Sequence, residues 1–202
     1  MKPKNVLASS FFAGPTLEVA RQLLGKTFWV ANPGSKAEPW MVARIVETEG
    51  YCRGDPASHS AAGVTKRSAV MFGEPGRIYM YTMHRQRLVN FVTEPEGEPG
   101  AVLIRAVEPL IGLKAMERRR PHHTLVNLTN GPGKLAQALG LQMSDYGARL
   151  NGPRFFVCDD NYEPPKTVAT TRIGISKGQE LPWRFFIDGN SFVSKRSKTL
   201  SS

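Results

Sequence analysis

Two glutamates at alternate positions, with a tyrosine close behind them, are the residues of this 202-residue chain best suited to acid–base chemistry. Glu47 and Glu49 follow residues 41–46, an apolar and partly β-branched stretch that predicts a buried strand. Side chains alternate along a strand, so both carboxylates point to one face, and Tyr51 joins them if the strand continues. Two interpretations remain open: the pair is solvated at a strand end, or it belongs to a catalytic site.

The loop after this strand adds an imidazole to the carboxylates and the phenol. Residues 52–60 are polar and contain His59, with Cys52 at their start. A carboxylate, an aromatic ring and an imidazole within a dozen residues favour a site, whereas we expect Cys52 to be inert packing beside it. The predicted strand and loop therefore form the candidate site around which the other elements of the chain are organised.

The charge balance indicates a polyanionic partner. Lys and Arg number 27 against 17 Asp and Glu, a formal net charge of +10. Such an excess favours phosphate-rich partners through counterion release. A membrane surface would attract the same charge, but the sequence has no apolar run of spanning length and no basic amphipathic helix with a lipid-anchor motif.

The cysteine and histidine counts argue against a metal centre or a disulfide framework. Two cysteines and four scattered histidines are too few for either, which favours a reducing, cytoplasmic setting. The first residues lack the apolar core of a signal peptide, so we do not expect secretion. Residues 194–202 are basic and rich in serine, and we expect them to form a disordered tail.

The first hundred residues predict a helix and two hairpins. Helical spacing runs over residues 15–25 and closes on Gly25. A strand over residues 26–31 then pairs, through a turn, with the strand that carries Glu49. A second hairpin joins residues 77–82 to residues 88–92, with residues 84–87 as a basic, polar tip.

The second half of the chain predicts further strands and two helices. We expect a strand over residues 101–107, a helix over 110–120, a turn at 130–134 feeding a helix over 135–140, and short strands at 155–158, 169–175 and 183–187. The turn at 130–134 lacks the Walker spacing, so it is either a phosphate site or a plain helix start. Irregularly mixed strands and few helices predict one α+β domain over residues 1–202, with its core at about 11–193.

An ordered series of motifs runs through the chain and carries a family resemblance. It consists of Arg44-Ile45-Val46-Glu47-Thr48-Glu49-x-Tyr51, Asp55-x3-His59-Ser60, Met71-Phe72-x3-Gly76-x2-Tyr79-x-Tyr81, Asn90, Leu103-Ile104-Arg105, Gly131-Pro132-Gly133-Lys134-Leu135 and Thr171-Arg172-Ile173-Gly174-Ile175. In this order the motifs resemble the 3-methyladenine (alkyladenine) DNA glycosylases of the mixed α/β kind. The resemblance extends from about residue 11 to residue 193.

The resemblance implies a fold and an activity. The family has one compact domain around a curved antiparallel sheet, with peripheral helices and a protruding β-hairpin that enters the DNA minor groove. Its members act as monomers on damaged double-stranded DNA, flip out alkylated or deaminated purines and hydrolyse the N-glycosidic bond, which starts base excision repair. They leave an abasic site without cutting the strand, and they use no metal or organic cofactor.

The resemblance also implies roles for particular residues. Glu49 matches the general base, and Arg105 matches an arginine near the attacking water. In the family's base pocket, Tyr51 and His59 match the residues on one side and Tyr81 matches the aromatic residue on the other. Asn90 matches the residue at the purine edge. We assign Tyr79 to the core.

The predicted DNA contacts surround the second hairpin. The family wedge is often Tyr, and His84 stands at that position here, a smaller ring that would hold the flipped state less firmly. Backbone contacts are expected from Arg85, Arg87, Thr65, Arg67 and Lys134.

Two other functions remain open from the sequence. A bifunctional glycosylase would attack the sugar with a lysine, for which Lys66 and Lys134 are the candidates. A non-catalytic binder would use the basic surface alone and would not distinguish a lesion from ordinary duplex.

Overall fold

One antiparallel sheet of eight strands organises the residues that the computed structural model describes, which are 2–36 and 39–194. The strands are β1 Thr27–Ala31, β2 Trp40–Tyr51, β3 Ile78–Met83, β4 Gln86–Thr93, β5 Gly100–Ile111, β6 Phe155–Cys158, β7 Thr167–Thr170 and β8 Arg184–Ile187. Their order is β3-β4-β5-β2-β1-β6, with β8 paired to β2 and β7 paired to β8. The fold is one compact α+β domain around a curved sheet, as the sequence predicted.

Short helices pack against the sheet rather than alternate with its strands. They are α1 Ser9–Phe12, α2 Thr16–Gln22, α3 Leu113–Arg119 and α4 Pro132–Ala138, with 3₁₀ turns at His59–Ala62, Ala69–Phe72, Val126–Leu128 and Met143–Asp145. Helix α4 lies close against the second hairpin, because a Cβ on Gly133 would meet the Gln86 Oε1 at 2.1 Å. A larger residue here would therefore require the Gln86 side chain to move.

Strand β2 is the central strand and is covered along both of its edges. Strand β5 pairs along one edge, while β1 and then β8 share the other. The C-terminal half of β2, which carries Glu47 and Glu49, consequently lies between β5 and β8. The side chains of both glutamates are fully buried.

The two faces of the sheet bury different side chains. Alternate residues of β3 and β4, such as Ile78 and Phe91, join the main apolar core beneath α2 and α4. The residues between them, such as Tyr79 and Leu88, form a second cluster on the opposite face. This second face carries the cavity described below.

The structure corrects several predicted boundaries. The turn of the second hairpin is only His84 and Arg85, so Arg87 belongs to β4. Strand β5 continues beyond the predicted residue 107 to Ile111, and α3 starts later than the predicted residue 110. Pro109 is tolerated within β5 because the register with β2 slips there, between Val42 and Ala43.

Two further boundaries differ in the second half of the chain. Helix α4 starts at Pro132 rather than at residue 135, and the strand predicted at 169–175 is β7, Thr167–Thr170. Of the predicted tail, residues 195–202 lie outside the described residues.

Candidate active site

Glu49 lies at the centre of a buried network of hydrogen bonds. Its side chain is 0% exposed. Oε1 accepts a hydrogen bond from the Ile173 backbone N–H at 2.8 Å and lies 3.2 Å from Arg105 Nη1. Oε2 accepts a hydrogen bond from the Tyr51 hydroxyl at 2.9 Å. The interpretation of Glu47 and Glu49 as solvated strand-end residues is therefore wrong, since Glu47 is also 0% exposed.

An irregularity in the sheet brings Arg105 to both glutamates. The register between β2 and β5 shifts twice beside Glu47, which leaves Val46 on β2 and Arg105 on β5 out of step with the ladder. Such bulges bend the strand and redirect side chains. The Arg105 guanidinium consequently lies between the two carboxylates, with Nε 2.9 Å from Glu47 Oε1 and Nη1 close to Glu49.

Burial and charge act in opposite directions on this network. Burial raises the pKa of Glu49 above its usual value, against the effects of Arg105, the Ile173 N–H and the Tyr51 hydroxyl, and Glu47 adds to the rise. Burial alone would lower the pKa of Arg105, but the attraction of Glu49 and of Glu47 outweighs it. Glu49 is thus a better proton acceptor than a carboxylate in water, and it still has a cation beside it.

A cavity of about 430 Å³ opens next to this network. Its size is within the range of about 300–1,000 Å³ that is usual for small-ligand sites. Aromatic rings and apolar side chains form most of its wall. The lining residues include Tyr51, His59, Tyr79, Tyr81, Asn90, Arg105 and Ile173. Three of the groups that bond Glu49, namely Tyr51, Arg105 and Ile173, therefore also line the cavity.

His59 is held in place by two tyrosines of β3. Its Nδ1 lies 2.7 Å from the Tyr79 hydroxyl, and its ring meets the Tyr81 ring edge-on with centroids 4.6 Å apart. Burial, and then the charge of Arg67, lower the pKa of His59 to about 4. The imidazole is therefore neutral at pH 7, with one nitrogen as donor and the other as acceptor. Tyr79 is 1% exposed, as expected for a core residue, yet it also helps to build the cavity wall.

A buried ion pair ties two loops of the cavity together. Asp55 and Arg172 form a two-pronged pair in which both side chains are 0% exposed. The Arg172 guanidinium lies over the Tyr51 ring at 4.7 Å and over the Trp183 ring at 5.0 Å. It also donates a hydrogen bond to the Gly50 carbonyl at 3.0 Å. Arg172 thus supports Tyr51 from behind and fixes the neighbouring Ile173, whose N–H bonds Glu49.

The structure brings six of the predicted site residues together. Glu49, Tyr51, His59, Tyr81, Asn90 and Arg105 surround or adjoin the cavity. Asn90 donates a hydrogen bond from Nδ2 to the Tyr79 carbonyl at 3.1 Å, which leaves its Oδ1 for another donor. Cys52 is partly buried, and burial raises the pKa of its thiol to about 11, so it is protonated and unreactive at neutral pH.

The other predicted residues lie outside this cavity. His84 and Arg85 form the exposed tip of the second hairpin, and Arg87 follows on β4. Arg67 lies with its guanidinium 4.8 Å from the Tyr81 ring centroid, and the Thr65 hydroxyl bonds Ser68. Lys134 donates hydrogen bonds to Asn130 Oδ1 at 2.6 Å and to Asn127 Oδ1 at 3.2 Å. Its pKa is lowered by burial and by the charge of Arg120.

Several residues of the site had no assigned role in the sequence. Arg172 and Ile173 appeared only as part of a motif, and Arg184 and Lys177 carried no local signal. These residues come from the last third of the chain and reach the site only through tertiary packing. The acidic Glu-x-Glu pattern did place Glu47 on the correct face, although its contacts depend on the bulge.

Residues 2–36 and 39–194 lack the features of two other kinds of site. No three His, Cys, Asp or Glu side chains in these ranges come together as metal ligands. No helix in the same ranges combines the length and apolar character needed to cross a bilayer.

The sequence matches a known protein family over most of its length. The profile of "Methylpurine-DNA glycosylase (MPG)" aligns with residues 10–191. A protein of Bacillus licheniformis is 44% identical over 194 residues, which cover 94% of this chain and 96% of the relative. Proteins of Chlorobium luteolum and Methanoculleus marisnigri are each 43% identical, over 94% of this chain and 96% and 99% of the relatives. All three carry the name "Putative 3-methyladenine DNA glycosylase".

Proposed function

The chain belongs to the methylpurine-DNA glycosylase family, and on that premise we propose that it is a monofunctional enzyme that hydrolyses the N-glycosidic bond of damaged purines in double-stranded DNA. Family membership makes it a DNA glycosylase that acts in DNA repair. The proposal adds that the lesions are alkylated or deaminated purines and that water is the nucleophile. The observation that carries it is a fully buried carboxylate, Glu49, bonded by groups that line an aromatic cavity of about 430 Å³.

Glu49 is the proposed general base. Departure of a purine leaves an oxocarbenium-like sugar, which a nearby carboxylate stabilises while it accepts a proton from the attacking water. A raised pKa improves the carboxylate as a base, and the fixed bonds from Ile173 and Tyr51 orient it. Arg105, at 3.2 Å, is placed to orient the same water or the target phosphate.

The cavity is the proposed pocket for the flipped base. Tyr51, His59 and Tyr81 offer stacking of about 1–3 kcal/mol per contact, comparable to the few kcal/mol that unstacking and unpairing cost. Asn90 Oδ1 and the neutral His59 ring supply hydrogen-bonding groups at the purine edge. Two of these rings already have an arginine over one face, Arg172 on Tyr51 and Arg67 on Tyr81. A cationic alkylated base would therefore gain less from them than from unoccupied rings.

The second hairpin is the proposed wedge that enters the minor groove. Its two tip residues, His84 and Arg85, have φ of 48° and 65°, the left-handed conformation that glycine and asparagine favour. Strain of this kind is often retained at functional positions. We assign intercalation to His84 and backbone contacts to Arg85, Arg87, Thr65, Arg67 and Lys134.

Replacement of Glu49 by glutamine tests the proposed base. Glu49→Gln keeps the size and the acceptor oxygen but removes the negative charge, so base release should fall by at least about a hundredfold, while binding to lesion duplex stays close to wild type. The assay uses duplexes that each carry one hypoxanthine, ethenoadenine or 7-methylguanine, followed by alkaline cleavage at abasic sites. Glu98→Gln, an exposed carboxylate paired with Arg53, is the matched control. Turnover that persists in Glu49→Gln rules out the assigned role.

A lyase activity is the second candidate, because lysines lie near the site. Lys177 lines the cavity, and the lowered pKa of Lys134 raises the fraction of its amine that is unprotonated at neutral pH. A lysine that attacks C1′ displaces the purine, and opening of the sugar ring then gives a Schiff base, which borohydride reduces to a stable protein–DNA adduct. Monofunctional hydrolysis predicts no adduct with any lesion duplex, and an adduct lost in Lys177→Arg or Lys134→Arg would establish the lyase instead.

A further inference from the structure

Glu47 is a buried carboxylate for which the proposed reaction has no role. Four donors converge on it: Arg105 Nε at 2.9 Å, Arg184 Nε at 2.7 Å, and the Ser194 backbone N–H and hydroxyl at 2.6 and 2.9 Å. Neither Glu47 nor Arg184 is exposed. Burying a charge costs free energy unless it is paired and hydrogen-bonded, so such a carboxylate is a specific feature of the site.

The arrangement makes Arg105 a shared counter-ion. Its guanidinium contacts Glu47 through Nε and Glu49 through Nη1, so one cation serves two carboxylates two residues apart on β2. Arg184 contributes a second cation, but it bonds Glu47 and not Glu49. The network therefore contains two carboxylates and two arginines, and Glu47 contacts both arginines.

We propose that Glu47 is a positioning residue for base excision: it holds the Arg105 guanidinium between two carboxylates and so limits how strongly that cation neutralises Glu49. Glu47 does not line the cavity; it acts on Glu49 through Arg105 and through its own charge. This inference rests on the proposed function, in which Glu49 accepts the proton from water. It explains why a site with one general base contains a second, inaccessible carboxylate.

The direction of the effect follows from the groups that face Glu49. These are Arg105 from β5, Tyr51 and Glu47 from β2, Ile173 and Arg172 from the loop before β8, Arg184 on the neighbouring β8, and Tyr81 from β3. If Glu47 loses its charge, Arg105 interacts with Glu49 alone, and the proton affinity of Glu49 falls. If Arg184 loses its charge, the field of Glu47 on Glu49 is less compensated, and the proton affinity of Glu49 rises.

Opposite shifts in two variants test the proposal. The measurement is the second-order rate constant for release of hypoxanthine from duplex DNA under single-turnover conditions, followed as a function of pH. The acidic limb of this pH profile reports the pKa of the base in the free enzyme. Glu47→Gln should move this limb to lower pH and reduce the plateau rate about three- to tenfold, since a weaker base is a slower one. Arg184→Gln should move the limb to higher pH. Glu47→Asp keeps the charge but draws the carboxylate away from Arg105, so it should shift the limb in the same direction as Glu47→Gln, but less.

Asp145→Asn is the matched control. Asp145 is a buried carboxylate paired with Arg154 at 2.8 Å, away from the cavity, so its loss reproduces the cost in stability without a change near Glu49. The acidic limb of the Asp145→Asn pH profile should coincide with that of the wild type. Titration of the Glu49 carboxyl carbon by NMR in each variant gives the same comparison without any assay of activity.

The outcomes separate this inference from the proposed function. Limbs displaced in opposite directions support the role of Glu47. If the rates fall in Glu47→Gln and Glu47→Asp while both acidic limbs stay at the wild-type pH, the role of Glu47 is structural only. That result overturns the inference. If the wild type releases no base, the proposed function fails, and the NMR titrations still decide whether Glu47 and Arg184 shift Glu49 in opposite directions.

Discussion

The imidazole of His59 shows how strongly one side chain depends on its surroundings. Tyr79 and Tyr81 enclose it, and the guanidinium of Arg67 lies over the same aromatic group. Burial and that charge together lower the pKa of His59 to about 4, so the folded protein keeps the ring neutral. A neutral ring can both donate to and accept from a base edge, which an imidazolium cannot.

This shift makes His59 a source of acid sensitivity. An unfolded chain binds a proton at His59 below about pH 6.5, whereas the folded one does so only near pH 4. The unfolded state therefore binds more protons in that window, and stability is lost as the pH falls through it. In urea unfolding, His59→Asn should lose less free energy of unfolding between pH 7 and pH 5 than the wild type does. His123→Asn, at an exposed site, should follow the wild type, and equal losses in all three proteins would contradict the prediction.

At the scale of elements, the second hairpin has an unusual turn. Two-residue hairpins of this kind need positive φ at both central positions, for which Asn-Gly is the favoured pair. Here the positions hold His84 and Arg85, neither of which relieves the conformation. The turn is therefore less stable with His84 and Arg85 than it would be with Asn-Gly.

Residues that favour positive φ at the hairpin tip should raise the stability of the protein but lower its affinity for DNA. The double variant His84→Asn/Arg85→Gly should raise the free energy of unfolding by about 1 kcal/mol, because both new residues adopt positive φ readily. Its affinity for a lesion duplex should fall, since the wedge ring and one cation are lost. Urea unfolding and fluorescence anisotropy give the two quantities. Unchanged affinity would remove the hairpin tip from the DNA interface, and Arg53→Gln controls for the lost charge.

Elements with local signals were predictable, and those set by long-range register were not. Apolar alternation was sufficient for β1, β6 and the strand that carries Glu49. The bulge that aims Arg105 at Glu47 arises from pairing between two distant strands, so no local pattern contains it. Likewise Pro109 suggested a strand end, but the register slip opposite it lets β5 continue.

The same division holds within the candidate site. Glu49, Tyr51 and His59 lie within eleven consecutive residues, where composition alone indicated chemistry. Arg172 and Arg184 lie more than a hundred residues further along the chain, and only packing brings them to Tyr51 and Glu47. Their arginine side chains look no different in sequence from solvated surface cations.

At the scale of the whole molecule, 27 Lys and Arg side chains exceed 17 Asp and Glu side chains by ten, so ion pairs within the chain leave a net charge of +10. Surface pairs such as Arg53 with Glu98 and Arg149 with Glu74 neutralise some cations. Among the ion pairs of residues 2–36 and 39–194, none includes Arg85 or Arg87. These cations on the hairpin are available to phosphates.

Salt dependence should identify the cations that contact DNA. Each phosphate contact releases about one counterion, so Arg85→Gln and Arg87→Gln should each reduce the slope of log affinity against log salt by about one. The reduction should be equal for lesion and ordinary duplex, because phosphate contacts carry no sequence information. Arg53→Gln, already paired with Glu98, should leave the slope unchanged. A slope that stays at the wild-type value in both hairpin variants would place the DNA elsewhere.

The bond from Ser194 to Glu47 has a consequence for biosynthesis. It spans 147 positions of the chain, and Arg184 reaches the same carboxylate across 137. A polypeptide emerging from the ribosome exposes Glu47 and Glu49 long before it supplies either partner. Until translation has passed Ser194, the two acids lack some of the partners that hold them in the folded protein, so the proposed site cannot be complete before that point.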